Sequence, residues 1–218
     1  RYDFKIHKET LSMMAEMVRN GEFDSLTGER VWKEFEKVLT EKNLVNFFNN
    51  LEHIGALEKV PGFTSISDKD YFKVIEQQSS NSFISNVIHT FSQMNKKDLT
   101  KWKMPSDLQK LINHFNDWKN NELFYSYMSV DDKLKFIQQH KALHSVEDLL
   151  VTLENVVMYN NWKNNSSLNI EHEKNTIFSD IEKLKQIDYP SIIEKAKVEK
   201  IKPNEAVKSA QVELLTSK

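Results

Sequence analysis

Asp68, Lys69 and Asp70 form a D-x-D, a spacing that in phosphoryl-transfer enzymes holds divalent metal ions on paired carboxylates. That chemistry places the carboxylates on a strand, behind a Gly-Ser turn that cradles phosphates. Here they follow Ser67 and open an apparent helix, so Asp68 reads as an N-cap and Asp70 as an anion facing the helix dipole. His140 and His144 stand four apart, which on a helix sets two imidazoles on one face. The segment is HKALH, without the glutamate of H-E-x-x-H, and Ser145 reads as the start of the next helix. These are surface or core histidines. His114 and Asp117 are three apart in HFND, and no histidine is followed directly by aspartate, so the pair used by HD-type metal phosphohydrolases is missing. No G-x-S-x-G frames a serine nucleophile. Neither a catalytic nor a metal site is expected in this chain.

Aromatic and basic side chains offer a different chemistry, stacking on bases and pairing with phosphates. Trp32 and Trp118 lie on apolar stripes and read as core. Trp102 and Trp162 are flanked by lysine, as Lys101-Trp102-Lys103 and Trp162-Lys163, and are the two that could meet nucleic acid. Lys183, Lys185, Lys195, Lys197, Lys200, Lys202 and Lys208 are partly balanced by Glu182, Glu194, Glu199 and Glu205. They form either a solvated helix face with i,i+4 pairs or a phosphate-tracking face.

The elements that would position these residues are helical. Among 218 residues there are four glycines, four prolines and no cysteine. Few breakers argue against a sheet-rich fold, and Gly21, Gly28, Gly55 and Gly62 are too widely spaced for a phosphate-cradling loop. The lack of cysteine excludes disulfides, thiolate metal sites and cysteine nucleophiles. With 39% hydrophobic and 11% aromatic residues the chain can bury a sizeable core. No run approaches a membrane span and no signal segment opens the chain, so it reads as soluble and cytoplasmic. Thirty basic against 32 acidic side chains, net −2, give no global basic field. Any nucleic-acid binding must use a local patch.

Leu11, Met14, Met17 and Val18 form a helical stripe that stops at Asn20-Gly21. Thr27 can cap a second helix with Glu29 in its first turn, carrying Val31, Trp32, Phe35, Val38 and Leu39. Leu44, Phe47, Phe48, Leu51 and Ile54 make a third, stopped by Gly55. PGFTSISD (61–68) reads as a loop and domain boundary. Further stripes follow at Tyr71, Phe72 and Ile75, and at Phe83 to Phe91. Others begin behind Pro105, over 131–141, and behind a weak capping box at Ser145 and Asp148. Residues 160–169 read as a polar loop or frayed end, and 170–218 as lysine-rich helices broken near Pro190 and Pro203. The expected fold is all-α, with no sheet and no repeat of fixed period.

Three stretches then resemble a known family. Arg1, Tyr2 and Phe4 lead into Glu9, Thr10, Leu11 and Met14. Glu29, Arg30, Glu34 and Leu39 follow, and then Phe47, Phe48, Leu51, Gly55, Ala56 and Leu57. Order and spacing are similar to the neck of bacterial class II tRNA nucleotidyltransferases, the CCA-adding enzymes. Lys103-Met104-Pro105-Ser106-Asp107-Leu108 is similar to a helix start in the body of the same family. The resemblance implies a chain made of neck (1–60), helical body (61–165) and lysine-rich tail (166–218). A catalytic head would lie in cis outside it, handling Mg²⁺, CTP and ATP. It implies that Glu29, Arg30 and Glu34 brace the head's nucleotide-reading helix, and that tRNA is the partner. Lys101, Lys103, Lys195, Lys197, Lys200 and Lys202 are then the candidates for RNA contact, and this segment alone would have no transferase activity. Two departures stand out: the body lacks the His-Asp of many bacterial members, and the opening is shorter than the common R-Y-x-x-L-G-F. Bacterial poly(A) polymerase, which shares head and neck, is the alternative. A helical protein-interaction module without RNA affinity is the rival from another class.

Overall fold

The computed structural model describes residues 5–41, 44–60, 62–63, 82–120 and 124–216. Arg1, Tyr2 and Phe4, the Asp68–Asp70 pair, most of the 61–68 loop and the stripe at Tyr71, Phe72 and Ile75 lie outside the described residues. Among the described residues the chain is all-α: eleven α-helices and three 3₁₀ turns, with no strand. The chain divides into two compact units, Arg1–Asp117 and Trp118–Lys218.

The first unit opens with α1 (Lys8–Arg19), closed by Asn20 and by Gly21 at φ +82°. A 3₁₀ turn (Glu22–Ser25) leads to α2 (Gly28–Val38), where Thr27 Oγ1 accepts from the Arg30 amide at 3.4 Å. α3 (Leu44–His53) ends before Gly55, whose φ of +75° suits a residue without a Cβ. Beyond a second 3₁₀ turn (Leu57–Lys59) come α4 (Phe83–Phe91), α5 (Lys96–Lys101) and α6 (Ser106–Trp118).

The core of this unit is aromatic. Phe35 on α2 meets Phe47 at 5.3 Å between centroids, Phe63 at 5.5 Å and Trp102 at 4.8 Å, mostly edge-on or tilted. Such geometries set the positive ring edge against the negative face. α4 is buried from Ser85 through Phe91, and Asn86 Nδ2 donates to the Leu39 carbonyl at 2.8 Å, satisfying a carbonyl at the end of α2. Gly28 fixes the approach of α2 to α5, since a Cβ there would lie 1.8 Å from the Lys101 carbonyl oxygen. Only glycine fits.

In the second unit a 3₁₀ turn (Tyr125–Tyr127) precedes α7 (Val130–Gln139), α8 (Glu147–Asn164), α9 (Ile170–Lys185), α10 (Tyr189–Val198) and α11 (Pro203–Thr216). Trp118, Phe136, Leu149, Leu153, Ile177, Ile181 and Leu184 are among the residues of its core. Tyr125 Oη donates to Asp180 Oδ2 at 3.0 Å, and Lys133 Nζ pairs with the same oxygen at 3.1 Å. Burial, then the Asp180 charge, pushes the Tyr125 phenol up, so it stays a donor. Buried Glu173 accepts from the Ser126 amide at 2.9 Å and its hydroxyl at 2.6 Å, pinning the 3₁₀ turn to α9. α10 packs along α11, and α11 lies against α9 and α7.

Two local expectations are corrected. α8 begins at Glu147 with Val146 at its cap and no side-chain cap bond; Ser145 Oγ donates to the Glu147 carboxylate instead. Residues 160–164 are helix rather than loop. Asn161 Oδ1 accepts from the Leu168 amide at 2.9 Å and the Ser166 hydroxyl at 2.9 Å, so the asparagine closes the helix it was expected to fray. Asn165 makes the turn in the left-handed conformation.

Candidate functional site

Residues of the Glu22–Ser25 turn and of the segment after it, with α2 and α3, enclose a groove of about 710 Å³ on the first unit. Phe23, Leu26, Phe35, Phe47 and Leu51 make its floor, and Glu29, Arg30, Lys33 and Glu34 its rim. A second depression of about 410 Å³ continues past Phe23, Leu26 and Leu51 to Met14, Met17 and Ile54. Met17 and Leu26, which line it, are exposed.

The three residues expected to brace a partner element all stand on this rim. Glu34 accepts from Lys37 Nζ at 2.8 Å and Lys33 pairs with Glu36 at 2.9 Å, both exposed pairs one turn apart and weakly held. Among the described residues Glu29 and Arg30 make no side-chain hydrogen bond or ion pair. They are free for a partner. An apolar floor with an acidic and basic rim suits an amphipathic helix.

Positive charge concentrates elsewhere. Residues 96–110 hold five lysines and two aspartates, and residues 195–202 hold four lysines and one glutamate. Lys101 pairs with Asp98 at 2.6 Å, and that bond, with help from Asn95, holds the Asp98 carboxyl below its ordinary range. Lys202 pairs with Glu205 at 3.3 Å. Lys103, Lys195, Lys197 and Lys200 are exposed and make no ion pair among the described residues. Lys101 and Lys103 belong to the first unit and Lys195 to Lys202 to the second.

Trp102 does not stack outward as its lysine neighbours suggested. It is 1% exposed and packs edge-on against Phe35 at 4.8 Å and Phe91 at 4.7 Å. Residues 101–104 alternate outward and inward, so two lysines flank two core side chains; that alternation in K-W-K-M was the available signal. Trp162 is half-buried, 6.0 Å from the Tyr159 ring, which Lys163 Nζ approaches to 5.6 Å. His140 and His144 do not share a face. α7 ends at Gln139, Lys141 turns left-handed, and His140 Nδ1 lies 2.8 Å from the Phe136 carbonyl in the core. Among the described residues no three His, Asp or Glu side chains converge to hold a metal ion, and no helix is long and apolar enough to cross a membrane. Sequence reasoning missed the groove itself, because Phe23 and Leu26 lie outside any helical stripe.

Residues 3–66 match the family described as the probable RNA and SrmB-binding site of polymerase A. The chain is also similar to multifunctional CCA proteins. That of Neisseria meningitidis serogroup A is 34% identical over 125 residues, covering 50% of this chain and 29% of the relative. That of Haemophilus influenzae is 54% identical over 54 residues, 25% of this chain and 13% of the relative. That of Neisseria gonorrhoeae is 48% identical over 58 residues, 27% and 14%. The chain thus spans less than a third of the length of these relatives. No solved structure matches it.

Proposed function

We propose that this chain, a member of the CCA-adding and poly(A) polymerase family through its first 66 residues, is the tRNA-holding C-terminal part of a CCA-adding nucleotidyltransferase. The neck (1–60) offers its groove to a catalytic head in cis, and Glu29, Arg30 and Glu34 pair with that head's nucleotide-reading element. The head uses Mg²⁺, CTP and ATP to add C, C and A to tRNA 3′ ends in the cytoplasm; this chain supplies no reacting group. The body (61–165) and tail (166–218) hold tRNA through Lys101, Lys103, Lys195, Lys197, Lys200 and Lys202. They read backbone and shape, since A-form helices expose little base sequence to side chains.

The observation that carries this reading is the groove. The matched region presents an apolar floor and an unpaired Glu29 and Arg30, while the unpaired lysines sit outside it. That division suits a neck that docks protein and a body and tail that grip RNA. The family description, with its mention of polymerase A, favours poly(A) polymerase as the second reading. The intact protein decides between them when given a tRNA without its 3′ CCA. Incorporation of CTP followed by ATP is expected, and ATP-only extension of single-stranded RNA ends would assign it to poly(A) synthesis. The net charge of −2 keeps a protein-interaction module as the rival; neither CTP nor ATP incorporation would favour it.

A further inference from the structure

Gly28 opens α2, yet nothing in its backbone calls for glycine. The glycines with positive φ are Gly21, Gly55 and Gly62, and the first position of a helix accepts residues with a Cβ, proline included. The constraint at Gly28 is space. A Cβ there would fall 1.8 Å from the Lys101 carbonyl oxygen and 3.4 Å from the Trp102 Cα. The last residue of α5 therefore sits directly on the first residue of α2. Carbonyl end faces amide end, the arrangement that helix dipoles favour.

Trp102 makes the same joint a second time. Its buried indole packs on Phe35, which also lines the groove, at 4.8 Å between centroids. Gly28 and Phe35 stand two turns apart, about 10 Å along the helix axis. Contacts at both points stop the turn at 101–103 from sliding or pivoting on α2. This one piece of the first unit carries two sets of outward side chains. Lys101 and Lys103 are exposed on the turn. Glu29, Arg30 and Glu34 follow Gly28 on the rim of the groove.

We propose that Gly28 is a positioning residue: it lets the Lys101–Lys103 turn lock onto α2, so that the place where tRNA is held and the rim where the head is held keep one fixed register. The proposal rests on the reading of this chain as the neck and RNA-holding part of a CCA-adding enzyme, and adds the joint between the two. A Cβ stays about 3 Å or more from a carbonyl oxygen, so Gly28→Ala has to open the joint by about 1 Å. A misplacement of that size between reacting groups costs on the order of a hundredfold in rate. The change touches neither the lysine ammonium groups nor the head's own nucleotide pocket. Binding of each substrate is therefore left as it was, and turnover is not.

The test uses the intact protein, head included, with a tRNA lacking its 3′ CCA, and measures tRNA affinity, KM for CTP and kcat alongside thermal melts. Gly28→Ala is expected to bind tRNA and CTP within about twofold of the parent and to lose about tenfold or more in kcat. Lys101→Gln combined with Lys103→Gln changes exposed side chains only. That variant should bind tRNA more weakly and, at saturating tRNA, also turn over more slowly, since nothing then ties the RNA to the joint. Gly55→Ala is the control. It is strained at φ +75° with nothing within 4 Å of the added Cβ, so it should melt lower yet keep the parent's kcat well below its melting temperature. Parent-like kcat in Gly28→Ala overturns the proposal, as does an equal loss in Gly55→Ala, which would make the effect one of stability. Should Gly28→Ala not fold, the lysine variant decides, and an effect confined to KM overturns the proposal. A parent that incorporates neither CTP nor ATP defeats the CCA-adding reading itself.

Discussion

Lys101, Trp102 and Lys103 divide one short turn between solvent and core. The indole fills a site walled by Phe35, Phe63 and Phe91, while the two lysines point outward. Trp102→Ala should therefore destabilise the first unit by about 3–5 kcal/mol, since a large buried ring leaves a cavity. Exchanging Lys101 and Lys103 for glutamine should alter stability by less than about 0.5 kcal/mol. Urea unfolding of the three variants checks this, and a mild Trp102→Ala would contradict the packing. Trp32 and Trp118 were legible as core because each sits on an unbroken apolar stripe. Trp102 was not, because charge on both sides resembles a surface until period-two burial is considered.

Helix starts carry the clearest local signals. Asn95 and Asp98 cap α5 reciprocally: the Asp98 amide donates to Asn95 Oδ1 at 2.9 Å and Asn95 Nδ2 to Asp98 Oδ2 at 2.8 Å. Ser129 and Asp132 do the same for α7 at 3.2 and 2.7 Å. Hydrogen bonds hold both carboxyls below their ordinary range, chiefly from Lys101 to Asp98 and from Ser129 to Asp132. A carboxyl whose folded pKa is depressed adds stability above its unfolded value of about 4, and loses it as pH falls through the lower folded value. Stability should thus decline below about pH 4, and Asp132→Asn should flatten that decline. Urea midpoints for parent and variant at neutral and acid pH measure it; identical acid slopes would contradict it.

The same logic shows what could be read in advance. Caps at Thr27 and stops at Gly21 and Gly55 follow from one residue's chemistry, and the structure has them. The ends of α7 and α10 do not, because lysine stands where glycine would announce a stop. The asparagines of 160–165 misled for a related reason. The Asn161 side chain bonds forward to Leu168, a use that composition cannot show.

At the scale of the whole molecule, charge is unevenly distributed along the chain. Residues 3–66 hold the groove and an excess of acid, while the lysine-rich stretches 96–110 and 195–202 lie beyond it. The all-α class was visible in helical spacing, and Glu29, Arg30 and Glu34 were singled out by the family resemblance. The groove was not, since it arises where the turn carrying Phe23 and Leu26 meets α2 and α3. If the chain holds tRNA as proposed, it does so by local phosphate contacts, and its affinity should fall steeply with salt although its net charge is −2.

The most direct measurement is the binding of this chain to tRNA lacking its 3′ CCA, titrated against salt, with single-stranded poly(A) as competitor. Saturable binding that weakens steeply with salt and that poly(A) cannot displace is the expected result. Failure to bind either RNA at low salt, or displacement of tRNA by poly(A), would contradict a tRNA-holding role.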